Sequence, residues 1–366
     1  MRKRGYGYGY TGYHGRSRSR LVLKVVIGVL AVVLALMLAL FFLQEDRLVF
    51  SPGGLRLDVP FLKDGDAPSP PPEATEPLVI VSATPAPTPT PAPEPAEPLR
   101  AVMLPRSALS DGSAAARAAE AGANAVVFDM KADDGTLGYV SDLELAKRVG
   151  ASASDPALNE TIRTLNQQEL HTVARVSCFR DNKAPYTAPA LGVKTNSGYN
   201  WRDSGDLRWM SPTSEEARAY VAGICTELAR LGFDEILLDN SGYPTAGKLG
   251  YIKKGPAYDE SQFESVISAF YRQIKAALAD YPEVTLSIRT DGTVLTEGSG
   301  PLSGQSVTGM LESAGRIWAD LGETPAETAV QALTAAGAER AEEMLVPIIS
   351  SPGSDGNWAM LAQQTG

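Results

Sequence analysis

The amino-acid sequence predicts a (β/α)8 barrel of the TIM type in residues 99–366, behind a single transmembrane helix and a proline-rich linker. Three observations predict this fold class. Short apolar runs alternate with longer helical patterns, there are seven or eight such strand-helix units, and no glycine-rich phosphate turn follows the first strand. This alternation implies parallel pairing, and the number of units fits a barrel better than a doubly wound sheet.

The N-terminal region predicts the membrane topology. Residues 21–43 are apolar, long enough to cross a bilayer, and carry only Lys24 near one end. Residues 1–20 form a Gly/Tyr-rich tail with six Lys and Arg and no acidic residue, whereas Glu45 and Asp46 follow the apolar stretch. The basic flank is therefore expected in the cytoplasm and the rest of the chain outside. A cleavable signal peptide is the alternative, but the stretch exceeds an h-region and no small-residue cleavage site closes it.

Residues 44–98 are predicted to be an extracytoplasmic juxtamembrane segment and linker. Repeated X-Pro steps between residues 67 and 98 favour an extended, semi-rigid backbone. At about 3.1 Å per residue, such a spacer reaches on the order of 100 Å, enough to carry a domain into a cell wall. Two short apolar pieces surround a Pro-Gly-Gly turn at residues 52–54, upstream of the proline run.

The charge of the C-terminal domain excludes some partners. Ten of the 33 Lys and Arg residues and nine of the 43 Asp and Glu residues precede residue 99, which leaves the domain a net charge of about −11. This charge argues against nucleic acid or an anionic lipid surface as a partner.

The domain has two cysteines. Cys178 lies at the end of a predicted strand and Cys225 in a predicted helix, so two buried free thiols are expected rather than a disulfide framework.

Seven buried strands are predicted from the apolar runs. They are Arg100–Leu104, Ala125–Asp129, Thr172–Cys178, Glu235–Asp239, Val284–Ile288, Arg316–Ala319 and Leu345–Ile349. Helix starts are predicted at Asp155-Pro156 and at the capping box of residues 213–216, whose helix ends at Gly232. Only a short loop separates the seventh strand from NWAML, so the last unit is expected to be abbreviated.

Charged residues follow several of these strands. Asp129 and Lys131 end the second strand, Asp239 ends the fourth, and Arg289 and Asp291 follow the fifth. Chemistry in such a barrel lies at the C-terminal ends of the strands. Two carboxyls about 5 to 9.5 Å apart could cleave a glycosidic bond. The alternative is that these aspartates cap helices and bind loop amides.

The loop after the third strand carries Tyr186, Tyr199, Trp201 and Trp209 among Asp and Arg residues. Aromatic faces flanked by polar groups suit a sugar ring, although the loop could equally bury these rings against the barrel.

The chain has only His14 and His171, which excludes a His-rich zinc site and a Ser-His-Asp triad. Neither a cofactor nor a metal site is predicted, and an acidic loop at residues 129–134 is expected to be solvated rather than to bind Ca²⁺.

Four segments, NAVVFDMKADDGTLGY, ARVSCFRD, WRDSGDLRWMSP and GFDEILLDNSGYP, resemble in their order and spacing a family of glycosyl hydrolase domains on bacterial cell envelopes. The resemblance runs from about Arg100 to Leu361 and implies a (β/α)8 barrel behind an N-terminal anchor. The chain departs from the family pattern after Asp239, where an Arg is missing, and in the sixth strand, where RIWADLGETP stands.

The resemblance also implies roles for individual residues. Asp239 would be the nucleophile or a stabilising carboxylate, with Asp291 or Glu312 as its acid/base partner. The residues expected to bind substrate are Asp129, Lys131, Arg175, Asp181, Trp201, Trp209, Tyr243 and Arg289. The sequence thus predicts a membrane-anchored glycoside-hydrolase-like protein acting on a cell-wall or surface polysaccharide such as peptidoglycan. The alternatives are a catalytically inactive carbohydrate-binding or envelope-organising barrel and a purely structural scaffold.

Overall fold

The computed structural model describes residues 48–51, 54–57, 97–353 and 355–361. The chain divides into two units, residues 1–89 and 90–366. In the first unit, Leu48–Ser51 and Gly54–Leu57 pair as an antiparallel hairpin. The predicted tail, the transmembrane segment at residues 21–43 and most of the linker lie outside the described residues. Within the described residues, every helix is too short or too polar to cross a membrane.

The second unit confirms the predicted barrel. Eight parallel strands within residues 100–360 close on themselves in the order of the sequence, with the last strand pairing with the first. The strands are β1 Arg100–Met103, β2 Ala125–Lys131, β3 His171–Ser177, β4 Glu235–Asp239, β5 Thr285–Asp291, β6 Arg316–Asp320, β7 Leu345–Ile348 and β8 Trp358–Met360. Strand β5 continues beyond its predicted end at Ile288, because Arg289 and Asp291 still pair with β6.

Helices connect most of the strands. The α-helices are α1 Ala114–Glu120, α2 Glu144–Arg148, α3 Leu158–Asn166, α4 Lys183–Thr187, α5 Glu215–Arg230, α6 Phe263–Ala277, α7 Gly292–Glu297, α8 Val307–Leu311, α9 Ala326–Ala335 and α10 Ala341–Met344. Short 3₁₀ turns lie at Arg106–Leu109, Pro189–Leu191, Leu249–Tyr251 and Glu260–Gln262. Ser299–Gly300 and Gln305–Ser306 form a small antiparallel pair between β5 and β6.

Local chemistry explains where the helices begin. Helix α5 starts after Ser214, one residue later than the predicted capping box places its N-cap; the Ser214 side chain accepts a hydrogen bond from the Ala217 amide, and the box is not completed because Ala217 has no carboxylate. Helix α3 begins later than predicted, at Leu158, because Asp155 instead accepts a hydrogen bond from the Ala157 amide in a preceding turn. Cys178 and Cys225 are both free and buried, as expected.

The last unit is abbreviated, as the sequence predicts. Only residues 349–357 separate β7 from β8, and the described part of this connection contains no helix. The Asn357 side chain fastens the closure: its Oδ1 accepts a hydrogen bond from the Leu99 amide at 2.7 Å, and its Nδ2 donates to the carbonyls of Glu342, Glu343 and Leu345.

Inside the barrel, an apolar layer separates two polar ends. The apolar layer consists of Leu99, Ala101, Ala125, Val127, Val173, Leu237, Trp318, Val346 and Ala359. Because side chains alternate along a strand, the residues two positions beyond Val127, Val173 and Leu237 also face the interior. These residues are Asp129, Arg175 and Asp239, all buried. The opposite end of the interior holds the buried Glu235.

Candidate functional site

Arg175 is the centre of a charged network at the C-terminal end of the barrel. Its Nε donates to Asp239 Oδ2 at 2.7 Å, its Nη1 to Asp129 Oδ1 at 2.8 Å, and its Nη2 to Asp133 Oδ1 at 2.7 Å. A guanidinium can bind three carboxylates in this way because its donors form a rigid planar fork. The three aspartates come from the ends of β2 and β4 and from the loop after β2.

A second arginine extends the network into the loop after β3. Arg180 donates from Nη1 to Asp133 Oδ2 at 2.5 Å and from Nε to Asp203 Oδ2 at 2.7 Å. Trp209 donates its indole N–H to the same Asp203 oxygen at 2.9 Å. These contacts fasten the long aromatic loop to the mouth of the barrel.

Asp239 binds two arginines and has the least exposed side chain of the four aspartates bonded to Arg175 or Arg180. Its Oδ2 accepts a second hydrogen bond, from Arg289 Nη1 at 2.9 Å, and its Oδ1 accepts one from the Asn240 amide at 2.7 Å. Burial is the largest influence on the pKa of Asp239 and acts to raise it. The charges and hydrogen bonds of Arg175 and Arg289 outweigh burial and hold this pKa well below its usual range.

The neighbouring carboxyls are also held ionised. Burial acts to raise the pKa of Asp133, but the charges of Arg175 and Arg180 lower it overall. Burial likewise acts to raise the pKa of Asp203, and the hydrogen bonds from Arg180 and Trp209 outweigh it. Burial acts to lower the pKa of Arg175, but the charges of Asp239, Asp129 and Asp133 outweigh it and raise this pKa well above its usual value. The network therefore carries stable charges.

A cavity of about 1220 Å³ opens above these residues. Its charged lining residues are Arg106, Asp129, Asp133, Asp134, Arg175, Arg180 and Arg289, and the others are Met103, Leu104, Pro105, Ala132, Thr136, Gly205, Leu207 and Leu361. A concavity of about 720 Å³ lies near the start of β5, but its lining includes no carboxylate. The cavity at the C-terminal ends of the strands is thus the candidate site.

The structure brings Asp129, Arg175, Asp239 and Arg289 together, as predicted for strand ends. Lys131 and Asp181 lie elsewhere, as a fully buried ion pair of 2.9 Å. Lys131 also donates to the Ser177 carbonyl at 2.7 Å. A Cβ on Gly135, whose φ is +89°, would clash with the Asp181 carboxylate. This ion pair supports the loop after β2 from below and does not line the cavity.

The aromatic residues predicted to bind sugar are buried. Trp201 donates its indole N–H to the Lys248 carbonyl, Trp209 packs against the network, and Tyr243 stacks on Phe263 with ring centroids 3.6 Å apart. The sequence leaves open whether the aromatic rings of the loop after β3 bind a sugar or pack against the barrel. The two tryptophans of this loop are buried by packing. Tyr186 and Tyr199 are exposed, outside the lining of the cavity.

The two candidate acid/base residues lie apart from the network. Asp291 is exposed, and its Oδ1 accepts a hydrogen bond from the Val294 amide as the N-cap of α7. Glu312 precedes β6 by four residues, at the opposite end of the barrel, where it pairs with Arg272. The position of Glu312 excludes it from the site, because it lies before the strand and not after it.

Several residues of the site were not singled out from the sequence as binding residues: Arg106, Asp133, Arg180, Asp203 and Asn240. Asn240 adopts a φ of +46°, which asparagine tolerates better than most residues, and its Nδ2 donates to Asp133 Oδ1 and Ser177 Oγ. Asp133, Arg180, Asp203 and Asn240 lie within the four quoted segments, so the signal was present, but nothing in the spacing showed which charges meet. Among the described residues, no group of three or more His, Cys, Asp or Glu could hold a metal ion.

The fold and site define a barrel protein with a charged strand-end cavity, the architecture on which many hydrolases are built. Residues 113–317, more than half of the chain, match the family described as "putative glycosyl hydrolase domain", and the chain belongs to this family. A search among curated proteins finds no match.

Three solved structures illustrate its similarities. A hypothetical protein from Ruminiclostridium thermocellum is 27% identical, with a TM-score of 0.43, over 52% of this chain and 96% of that chain. The PgaB (BpsB) glycoside hydrolase domain from Bordetella bronchiseptica is 14% identical, with a TM-score of 0.49, over 69% and 84% of the two chains. A chitinase from Chromobacterium violaceum is 14% identical, with a TM-score of 0.41, over 69% and 68%.

Proposed function

We propose that this protein is a glycoside hydrolase that acts on a cell-wall or surface polysaccharide, with Asp239 as its central carboxylate. One observation carries this proposal. Asp239 ends a barrel strand, is held ionised, and is bonded to Arg175 and Arg289, which line the cavity. The transition state of glycoside hydrolysis resembles an oxocarbenium ion, and an ionised carboxylate stabilises or attacks such a cation.

The family resemblance implies two acid/base candidates, Asp291 and Glu312, and only Asp291 lies at the same end of the barrel as Asp239, so the acid/base role is assigned to Asp291. A hydrolase needs a carboxyl that can give its proton to the leaving oxygen. The carboxyls of the network with shifted pKa values, Asp133, Asp203 and Asp239, are all shifted downward and stay ionised. Asp291 lies two residues beyond Arg289 on the same strand and makes no ion pair with the network in the described residues.

The proposal includes a location. Residues 21–43 would anchor the protein in the cell membrane with residues 1–20 in the cytoplasm. Residues 44–98 would then carry the barrel, residues 99–366, away from the outer face of the membrane toward the wall. The apolar stretch, its basic flank and the proline run support this arrangement.

A binding function without catalysis is the second candidate. The guanidinium of Arg175 occupies the space between Asp129, Asp133 and Asp239, so these carboxylates face it rather than one another. A site of this kind holds charges firmly and offers no proton donor of its own. It would retain a glycan at the envelope without cleaving it.

The two candidates are separated by one experiment. The full-length protein in detergent micelles is incubated with purified peptidoglycan and a panel of polysaccharides, and both retained glycan and new reducing ends are measured. We expect release by the wild type and a loss of about 10²–10³-fold in Asp239→Asn. Asp320→Asn is the matched control, because Asp320 also ends a barrel strand, β6, is exposed, and lies outside the network.

The outcomes discriminate clearly. Release that persists unchanged in Asp239→Asn removes this residue from the mechanism. Retention by the wild type without any new reducing end identifies a binding barrel. Neither retention nor release, with a folded protein, argues against both candidates and favours a structural scaffold.

A further inference from the structure

Three arginines of the cavity have guanidinium nitrogens that make no hydrogen bond or ion pair within the described residues. Arg289 uses only Nη1, on Asp239, which leaves Nε and Nη2. Arg180 uses Nε and Nη1, which leaves Nη2. Arg106 donates from Nε to the Asp129 carbonyl and from Nη2 to the Thr136 carbonyl, which leaves Nη1. The cavity is therefore lined by unused hydrogen-bond donors of fixed charge.

The carboxylates of the network are less accessible than these arginines. The side chains of Arg106, Arg180 and Arg289 are 33%, 25% and 32% exposed. Those of Asp129, Asp133, Asp203 and Asp239 are between 7% and 16% exposed. A ligand that enters the cavity therefore reaches guanidinium groups before it reaches most of the carboxylates. The exposed Asp134 is engaged locally, since both of its oxygens accept hydrogen bonds from Thr136.

The lining also lacks the usual means of holding a neutral sugar. Neutral sugar rings are commonly held by stacking on aromatic side chains. None of the described residues that line the cavity is aromatic, and the nearby Trp201 and Trp209 are buried in loop packing. Apolar residues such as Leu104 and Leu207 also line the cavity, so selectivity among glycans depends on its polar and charged side chains.

We propose that the cavity recognises a glycan that carries oxyanions, either carboxylates, as in uronic acids, or phosphates. This inference rests on the proposed function and names the substrate class of the same site. The fork of an arginine side chain matches the two oxygens of a carboxylate or phosphate, and such charged hydrogen bonds are about twice as strong as neutral ones. Arg289 is the principal contact, because both of its unused nitrogens lie on one edge of the fork.

The attraction between the cavity arginines and an oxyanion acts at short range. The network contains four arginines, Arg106, Arg175, Arg180 and Arg289, and five aspartates, Asp129, Asp133, Asp134, Asp203 and Asp239. The site as a whole is therefore not positive, and the domain around it carries a charge of about −11. Long-range steering of an anion is absent, so selectivity must appear in the lifetime of the complex rather than in a salt-sensitive association rate.

The test uses full-length protein in detergent micelles and measures binding by calorimetry. The probes are a trimer of galacturonic acid, the neutral galactose trimer of the same length, and a glycerol phosphate trimer. We expect the wild type to bind at least one of the acidic probes about tenfold or more tightly than the neutral one. The carboxylated and phosphorylated probes distinguish the two sources of the oxyanion.

Arg289→Gln should remove most of this preference. The matched control is Arg272→Gln, because Arg272 also forms an ion pair with one carboxylate and is accessible to solvent, but lies at the opposite end of the barrel. We expect affinity for the preferred acidic probe to fall about ten- to a hundredfold in Arg289→Gln and to stay unchanged in Arg272→Gln. The comparison of probes on the wild type tests the inference even if the Arg289 variant does not fold.

Three results would overturn the inference. Equal or tighter binding of the neutral trimer by the wild type shows that oxyanions are not recognised, while a glycan function still stands. An equal loss in Arg272→Gln shows that acidic probes bind to surface charge. If no probe binds and no polysaccharide is retained or cleaved, the proposed function fails together with the inference.

Discussion

The barrel buries charge at both of its ends, but in two different ways. At the end where the strands begin, a single carboxylate, Glu235, accepts hydrogen bonds from Arg316, Trp318 and Ser287 and contacts His171 Nε2 at 3.0 Å. At the end where the strands finish, Arg175 binds three carboxylates, and further arginines surround it. The first arrangement is closed, whereas the second opens into a cavity.

This difference distinguishes a structural cluster from the candidate functional one. Burial is the largest influence on the pKa of Glu235 and acts to raise it, but the contacts with His171, Arg316 and Ser287 lower it overall. Both Glu235 oxygens have partners, and its side chain is fully buried. In the Arg175 network, by contrast, arginine donors remain unused beside the cavity. Charges at the N-terminal face of such a barrel serve stability, and those at the C-terminal face serve chemistry.

The largest expected effect comes from removing the centre of the open network. Arg175→Gln leaves Asp129, Asp133 and Asp239 crowded and buried without their shared cation, so we expect a loss of about 3–5 kcal/mol in unfolding free energy at pH 7. Urea denaturation measures this loss. Arg272→Gln is the control and should change stability by about 1 kcal/mol or less, because its ion pair is exposed.

Lowering the pH should reduce the difference in unfolding free energy between the wild type and Arg175→Gln. In the wild type, the lowered pKa values of Asp133 and Asp239 stabilise the fold above the unfolded pKa of about 3.9, and this contribution is lost as the pH falls through the folded values. In Arg175→Gln, protonation instead relieves repulsion among the carboxylates. A gap that stays constant as the pH falls from 7 to well below the unfolded pKa of about 3.9 would contradict this account.

Removing the carboxylate of the closed cluster should reduce the unfolding free energy somewhat less than removing Arg175. Glu235→Ala leaves Arg316 and the Trp318 indole N–H without their acceptor, and we expect a loss of about 3 kcal/mol. The loss is at the lower end of the range for buried pairs, because Arg316 and His171 are partly exposed and water can hydrate them. Glu312→Ala, which breaks only an exposed pair, is the control for denaturation. Glycan binding should persist in the folded fraction of Glu235→Ala, and its loss there would contradict the structural assignment.

Trp318→Phe tests one hydrogen bond of the closed cluster. The substitution keeps an aromatic ring in the barrel interior and removes the N–H that donates to Glu235 at 2.9 Å. A hydrogen bond to a charged group contributes about 1.5–3 kcal/mol, so we expect destabilisation of this size in thermal and urea unfolding. An unchanged unfolding free energy in Trp318→Phe would mean that water replaces this donor to Glu235. The cluster would then be more accessible to solvent than its burial indicates.

The smallest expected stability change belongs to Arg289→Gln. Arg289 is about one-third exposed and makes one ion pair, so its loss should change the unfolding free energy by about 1 kcal/mol or less. Its effect on binding of an acidic glycan is expected to be much larger. Measuring both quantities on the same preparation sharpens the contrast between the two ends. A large loss of stability with unchanged binding would assign Arg289 to the structural class.

Much of the fold could be predicted because the barrel strands are buried on both faces. Continuous apolar runs such as VVF in β2 and ILL in β4 identify strands without help from alternation, and predicted and observed bounds agree closely. Identification from apolar runs fails at strand ends, where the apolar run stops before the strand does. There, polar residues such as Arg289 and Asp291 continue the pairing of β5, although their composition resembles that of a loop.

The candidate site could be predicted only in part. Strand-end residues such as Arg175 and Asp239 follow from the register of the barrel, because neighbouring parallel strands present their ends together. The Arg180–Asp203 pair spans 23 positions within one long loop, and its formation depends on the path of that loop. The fate of Trp201 and Trp209 was undecided for the same reason, since composition alone does not tell whether an aromatic ring faces a cavity or packs beneath it.

The Asn357 contact has a consequence for how the protein is made. Leu99 and Asn357 are 258 positions apart, and β8 can pair with β1 only when this segment is available. Until then, β1 presents an open strand edge that invites pairing with other chains. A contact of such long sequence separation is slow to form, because the intervening chain must be ordered or confined first. Synthesis therefore has to include β8 before the barrel can close, and the edge of β1 stays unpaired until then.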